Sequence, residues 1–103
     1  MLDLNPRYLI MVRALLTQHV PQMTVWAYGS RVAGQAHEGS DLDLVVIDPN
    51  DPTLPQKNLV ALRAAFIESA LPILVEVMDW ARIPASFQQE ISRQYVVVHE
   101  AHA

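Results

Sequence analysis

The sequence predicts a single-domain α/β (α+β) protein in which helices pack on a mixed central sheet of about four strands. Helical and strand-like segments alternate along residues 1–103, in the order helix, strand, short helix, strand, helix, strand, helix, strand. A chain of 103 residues has room for one hydrophobic core and for no second lobe. Any functional site must therefore be small or shared with a partner.

In the first half of the chain, proline, glycine and capping residues set the limits of the elements. Asn5 is suited to cap a helix that has Pro6 at its first position, and Pro21 prevents this helix from continuing. The predicted elements are a helix from Pro6 to about His19, a strand over Thr24 to Tyr28, a short helix over Ser30 to Ala33 and a strand over Asp41 to Ile47.

The second half begins after the turn-forming segment DPNDP, residues 48–52. The predicted elements are a helix from Gln56 to about Ala70, a strand over Ile73 to Met78, a helix from Pro84 to about Arg93 and a strand over Tyr95 to His99. Leu59, Leu62 and Phe66 follow one line of the first of these helices, and Val60 and Ile67 follow a neighbouring line. We therefore expect this helix to pack on more than one surface.

Composition excludes several classes of function. The net charge is −4 with seven Lys and Arg in all, which argues against a face that binds a nucleic-acid backbone. The chain has no cysteine, and hence no disulfide or thiolate site. No basic leader or membrane-length apolar run is present, so a cytoplasmic location is expected. At 51% hydrophobic residues, so small a domain is expected to cover some apolar surface with a partner.

The segment WAYGSRVAGQAHEGSDLDLVVI, residues 26–47, holds all three glycines of the chain. Gly29 and Ser30 lie where a predicted strand gives way to a helix, an arrangement that directs backbone N–H groups at an anion. Glycine allows close approach of a phosphate, and Ser30 adds a hydroxyl. The alternative is that this pair forms only a turn and a helix cap.

Carboxylates follow on the next strand. Asp41 and Asp43 are two residues apart, so both side chains project from one face, and Glu76 would join them if its strand lies alongside. Oxygen ligands of this kind hold Mg²⁺ together with substrate phosphates. Two metal ions held by three carboxylates can promote an in-line displacement at phosphorus. For Glu76 the alternative is an ion pair with an arginine, and Asp79 is a rival that should face the other side of the strand.

These residues resemble a known signature. Gly29-Ser30-Arg31, Gly34, Ala36 and the run SDLDL, residues 40–44, match GSR-x-x-G-x-A-x-x-x-SD-x-DL of the minimal nucleotidyltransferases in the polymerase-β-like superfamily. VEVMDW, residues 75–80, is similar to the family's third strand, where the usual acid is aspartate and this chain has Glu76.

The resemblance implies the polymerase-β-like nucleotidyltransferase fold and Mg²⁺-dependent transfer, with two ions and ATP as the substrate. It implies that Gly29 and Ser30 contact the triphosphate and that Asp41 and Asp43 bind metal, with Glu76 as third ligand or base. Arg31 and Ser40 are further expected nucleotide contacts. For Arg31 the alternative is solvation of the short helix.

Small proteins similar to this one pair with a helical HEPN-type protein as antitoxin and toxin, and add AMP to that partner. The resemblance thus implies a protein adenylyltransferase and antitoxin; a homo-oligomer is left open. The alternatives are a catalytically weakened subunit that neutralises its partner by binding, and a metal-dependent sugar-nucleotide transferase. Trp80 and Tyr95 either stack on a base or pack in the core or at an interface. Of the four histidines, His37 is expected to be exposed in its loop, and the other three show no metal-binding spacing.

Overall fold

The computed structural model describes residues 1–101, and the order of elements predicted from the sequence is confirmed there. His102, one of the four histidines considered above, lies outside the described residues. The elements are α1 (Pro6–His19), β1 (Thr24–Tyr28), α2 (Ser30–Ala33), β2 (Leu42–Ile47), α3 (Leu59–Glu68), β3 (Val75–Asp79), a 3-10 helix (Trp80–Arg82), α4 (Ala85–Arg93) and β4 (Val96–His99).

The four strands form one mixed sheet in the order β3-β2-β1-β4, which confirms the predicted architecture. β1 runs antiparallel to both β2 and β4, whereas β2 and β3 are parallel. The register places Asp43 of β2 between Tyr28 of β1 and Glu76 of β3. Because residues paired across neighbouring strands project from the same face, these three side chains share one face of the sheet.

Hydrophobic clusters cover both faces of the sheet. On one face, residues of α1 and α3 pack against the strands, with Leu16, Leu62 and Leu44 fully buried. On the other face, Val45 and Ile91 belong to a smaller cluster bordered by aromatic rings. Alternate residues of β2 thus enter different clusters, and Asp43 lies on the face of the smaller one.

Helix α3, Leu59–Glu68, is shorter than predicted. It begins at Leu59 rather than at Gln56, whose backbone N–H donates to the Asp79 carboxylate at 2.8 Å and is thereby held outside the helix. It packs against both α1 and β3, which agrees with the expectation of more than one packing surface, but the line of Val60 and Ile67 stays largely exposed. Leu62 is fully buried, whereas Val60 and Ile67 are 76% and 77% exposed.

Arginines from the helical layer reach both outer strands of the sheet. Arg63 of α3 donates from Nε and Nη2 to the Val77 carbonyl at 3.1 and 2.7 Å. Arg13 of α1 donates from Nε to the Val98 carbonyl at 3.1 Å. These bonds satisfy carbonyl groups of β3 and β4, the two strands at the edges of the sheet. No helix within residues 1–101 has the length and apolar character needed to cross a membrane.

Candidate functional site

The candidate site lies at the end of the sheet where β1 ends and where β2 and β3 begin. Asp41 immediately precedes β2, Asp43 is its second residue, and Glu76 is the second residue of β3. Asp43 and Glu76 are direct partners in the parallel register, so their backbones are about 4.8 Å apart. Glu76 therefore lies on a strand next to β2 and on the same face as Asp43, as its expected role as the third acid requires.

Contacts in the structure bear on two alternatives, an ion pair between Glu76 and an arginine and a site role for Asp79. Within residues 1–101 the one ion pair joins Arg82 to Asp79, so an arginine partner for Glu76 is wrong for that part of the chain. Asp79 pairs with Val46, on the opposite face from Asp43, as predicted. Its buried carboxylate accepts bonds from the backbone of Gln56 and Ala81 and from the Arg82 guanidinium. Asp79 is therefore a structural acid.

Burial and neighbouring carboxylates raise the pKa of Asp43. Burial, followed by the charges of Glu76 and Asp41, raises the pKa of Asp43 to about 6. Burial, followed by the charges of Asp43 and Glu76, raises the pKa of Tyr28 to about 12. The three acids therefore form one electrostatically coupled group, and the Tyr28 hydroxyl stays protonated beside it. The sequence predicts only that Tyr28 ends a strand, because its place beside Asp43 depends on the strand register.

The glycine turn touches this acidic group. Gly29 has φ +80° and ψ −154°, a conformation that is essentially restricted to glycine, and it caps the N-terminus of α2. A Cβ atom built on Gly29 would overlap the Asp43 carboxylate. Glycine is thus required here both by the backbone conformation and by the close approach of Asp43. The turn and the carboxylates belong to one site.

Arg31 and Ser40 make contacts within the chain. Arg31 is 6% exposed, and its guanidinium donates to the carbonyl oxygens of Asp3, Glu38 and Ser40 at 2.8 to 3.1 Å. Neither a phosphate clamp nor a solvated helix side chain describes Arg31, because its donors point at backbone carbonyls. The Ser40 hydroxyl accepts from the His37 N–H at 2.9 Å. A nucleotide contact by Ser40 stays a prediction.

Aromatic rings on the same face pack on one another. Tyr95 stacks on Trp26 with ring centroids 3.8 Å apart, and Trp80 meets Trp26 edge-on at 5.4 Å. Both rings thus pack on Trp26, although Tyr95 remains 40% exposed, and a base contact by either ring stays a prediction. Nearer to the glycine turn, a cleft of about 250 Å³ is lined by Tyr28, Gly29 and residues of α4.

The side chains of the candidate site differ in their suitability for a metal ion by number, distance and donor type. Within residues 1–101, no three Asp, Glu or His side chains are arranged closely enough to hold a metal ion as they stand. Asp41, Asp43 and Glu76 nevertheless offer oxygen atoms only, which is the donor type that Mg²⁺ prefers. A cation would also lower the repulsion that raises the pKa of Asp43. These three residues fit a divalent cation in composition and charge.

A glycine turn between strand and helix, followed by two acids at the start of an adjacent strand and a third beside them, defines a nucleotidyltransferase fold. The model of the family described as "Polymerase beta, Nucleotidyltransferase" matches residues 12–102, and the chain belongs to this family. The resemblance that the signature indicated is thereby confirmed.

Individual relatives agree with this assignment. The chain is 41% identical over 99 residues to the "Probable protein adenylyltransferase MntA" of Haemophilus influenzae, covering 96% of this chain and 85% of that protein. It is similar to the crystal structure of a toxin–antitoxin with AMP-PNP, with a TM-score of 0.70, 21% identity, and coverage of 95% and 76% of the two chains. The toxin–antitoxin MntA-HepT gives a TM-score of 0.66 at 17% identity, covering 94% and 74%. At these identities the structures show the shared fold.

The two glycines with positive φ allow a test of the Gly29 contact. Gly34 has φ +76°, and a Cβ atom there meets nothing within 4 Å. Gly34→Ala should cost about 1 kcal/mol of unfolding free energy from its left-handed backbone, and Gly29→Ala about 3 kcal/mol because overlap and a rarer conformation add to this. Urea unfolding of both variants, and of each combined with Asp43→Ala, measures the difference. If Asp43→Ala recovers none of the Gly29→Ala loss, the carboxylate is not what excludes a side chain at Gly29.

The raised pKa of Asp43 predicts a stability gain on neutralisation. Its folded-state pKa of about 6 exceeds the ordinary value of 3.8, so folding favours the protonated form and stability falls as the pH rises between these values. Asp43→Asn should therefore stabilise the metal-free protein at pH 7 by about 1 kcal/mol, after discounting for solvent screening. The gain should vanish below about pH 4, where both states are protonated.

Urea unfolding in a metal chelator at pH 7 and pH 4 measures this gain. Asp51→Asn is the control of opposite sign, because hydrogen bonds from Thr53 lower the pKa of Asp51 and favour its charge. That variant should lose stability at pH 7. Equal effects of the two substitutions would show that general charge reduction, and not the acid group around Asp43, is responsible.

Proposed function

We propose that this chain is a protein adenylyltransferase that moves AMP from ATP to a hydroxyl group on a partner protein. The observation that carries the proposal is the register that places Glu76 beside Asp43, next to the glycine turn. The identity of 41% to a probable protein adenylyltransferase supports the choice of AMP and of a protein acceptor. The family membership supports nucleotidyl transfer as the reaction class.

Each part of the site has a role in this proposal. The N–H groups at the start of α2 and the Ser30 hydroxyl would bind the triphosphate, with Gly29 allowing it to approach closely. Asp41, Asp43 and Glu76 would hold Mg²⁺, as one or two ions, which when bound neutralises phosphate charge and polarises the phosphorus centre. Asp43 lies on β2 and Glu76 on β3, so the rigid sheet sets their separation, and Asp41 immediately precedes β2.

The proposed reaction is a single displacement at the α-phosphorus of ATP. The acceptor oxygen forms a bond to phosphorus, the bond to the bridging oxygen of the β-phosphate breaks, and pyrophosphate leaves with the electron pair. The proton of the acceptor hydroxyl passes to a carboxylate or to water. Glu76 is suited to receive it because it is the solvent-exposed acid of the pair on β2 and β3.

The partner is proposed to be a HEPN-type toxin, for which this chain acts as antitoxin in the cytoplasm. A similar fold occurs in solved toxin–antitoxin structures, and the curated relative is called a protein adenylyltransferase. We propose that residues 1–103 act as one nucleotidyltransferase domain and that the partner supplies the acceptor.

A second candidate function rests on Glu76. The family usually has aspartate at this position, and a longer side chain changes where the carboxylate oxygens can reach. A chain weakened in this way would neutralise its partner by binding alone. The two candidates differ in whether the partner gains AMP, so one experiment separates them.

The carboxylates predict a graded loss of transfer. Asp41→Asn and Asp43→Asn should each abolish AMP transfer, and Glu76→Gln should lower it at least about 100-fold with little change in ATP affinity, because positioning is felt mainly in the transition state. The measurement is intact-protein mass spectrometry of the HEPN-type partner after incubation with ATP and Mg²⁺. Calorimetry of ATP·Mg²⁺ binding gives the affinities.

The matched control is Glu68→Gln, an exposed acid on α3 and outside the site. It should transfer AMP as the unaltered chain does. Transfer by Asp41→Asn or Asp43→Asn at the unaltered rate would remove the carboxylates from the mechanism. A partner that binds the unaltered chain tightly but gains no AMP would support the neutralising subunit.

A further inference from the structure

The side chain of Arg31 is a buried cation held by backbone carbonyl groups. Its Nε and Nη2 donate to the Ser40 carbonyl at 3.0 and 2.8 Å, and Nη2 also donates to the Glu38 carbonyl at 3.1 Å. On its other side, Nη1 donates to the Asp3 carbonyl at 2.8 Å. The Arg31 carbonyl in turn accepts from the Asp3 N–H at 2.7 Å. One residue thus joins α2 to two other segments.

No carboxylate balances this charge within residues 1–101, where the ion pair is the one between Arg82 and Asp79. Placing a guanidinium at 6% exposure is unfavourable unless hydrogen bonds replace the lost water. The carbonyl dipoles of the loop and of Asp3 supply that compensation. Because charge-assisted bonds are among the stronger ones, the carbonyls are held as firmly as the arginine is.

The loop that receives these bonds has little other structure. Residues 34–41 contain no helix or strand, and residues 37–39 are exposed. Its internal bonds close only the turn around His37 and Ser40, through the Ser40 N–H to the His37 carbonyl at 3.0 Å and the His37 N–H to the Ser40 hydroxyl at 2.9 Å. These bonds shape the turn but do not attach it to α2. The Gln35 N–H donates to the Ser30 carbonyl at 3.2 Å where the loop leaves α2, and the Arg31 side chain attaches the turn itself.

The best-fixed carbonyl of the loop, that of Ser40, belongs to the peptide bond that leads into Asp41. Two donors of one planar guanidinium converge on it. Arg31 itself follows Ser30 directly on α2. The same residue is therefore one peptide bond from the proposed phosphate-binding turn and one hydrogen bond from the backbone that carries the first acid.

We infer that Arg31 is a positioning residue that sets the distance between the Gly29–Ser30 turn and the Asp41 carboxylate. It does not touch the nucleotide; it fixes the loop so that Asp41 faces the same substrate as Ser30. This inference rests on the proposed function, because it assigns Arg31 to the assembly of that site. The segment around Asp3 is held by the same guanidinium and forms part of the support.

Arg31→Gln and Arg31→Lys test the inference, with Arg63→Gln as the matched control. Arg63 also donates two bonds from one guanidinium to one backbone carbonyl, that of Val77, but on the outer edge of β3. Arg31→Gln should lower kcat for AMP transfer about 100-fold, as expected of a misplacement of about 1 Å, with a smaller change in KM for ATP. Arg31→Lys, which keeps one donor group toward Ser40, should retain more activity.

Hydrogen exchange supplies a readout that does not depend on activity. The Ser40 and Leu42 amides should exchange about tenfold faster in Arg31→Gln than in the unaltered chain, relative to the slowest core amides. In Arg63→Gln they should keep their protection, although overall stability falls. Arg31→Lys gives a folded variant for the same comparison if Arg31→Gln does not fold.

The outcomes separate this inference from the proposed function. If the unaltered chain transfers no AMP, the proposed function fails, while faster exchange in the Arg31 variants alone still supports the attachment of the loop. If the unaltered chain transfers AMP and the Arg31 variants do so equally well, or if Arg63→Gln loses kcat to the same extent, the positioning role is overturned. Unchanged exchange in both Arg31 variants overturns it as well.

Discussion

The parallel pairing of β2 with β3 is the constraint on which the site depends. It begins where the Leu42 N–H donates to the Leu74 carbonyl at 2.9 Å, and it continues with Asp43 beside Glu76. A slip of one residue would turn Glu76 to the other face of the sheet, where α1 and α3 cover the apolar core. The buried Leu44 and Val77 pair in the same register, so core packing and site assembly select the same alignment.

The site is assembled against its own electrostatic preference. Acids gathered on one face, one of them with a pKa raised to about 6, oppose folding at neutral pH. The glycine turn contributes backbone conformations that other residues adopt only with strain. The opposing contribution comes from the other face, where apolar residues such as Leu16 and Leu62 are fully buried. A stable helical layer thus permits a strained and charged end of the sheet, as is common at functional sites.

Local patterns predicted the elements and most of the site, because the decisive residues are close in sequence. The strand-to-helix turn at Gly29 follows from local chemistry, and the period of two predicts a shared face for Asp41 and Asp43. The place of Glu76 followed only on the condition that its strand is adjacent, since no local signal gives strand order. The contacts of Arg31 with Asp3 and Ser40 depend on tertiary structure. So does the start of α3, which the Asp79 carboxylate determines from another element.

We propose that one divalent cation site joins the glycine turn, the pair Asp41 and Asp43, and Glu76 of β3. Paramagnetic broadening by Mn²⁺ tests it most directly, in amide NMR spectra of the isotope-labelled chain with a non-hydrolysable ATP analogue. The amides of Gly29, Asp43 and Glu76 are expected to broaden first, at Mn²⁺ concentrations well below that of the protein. Broadening centred instead on the acidic turn over residues 48–51, or spread evenly over the surface, would contradict it.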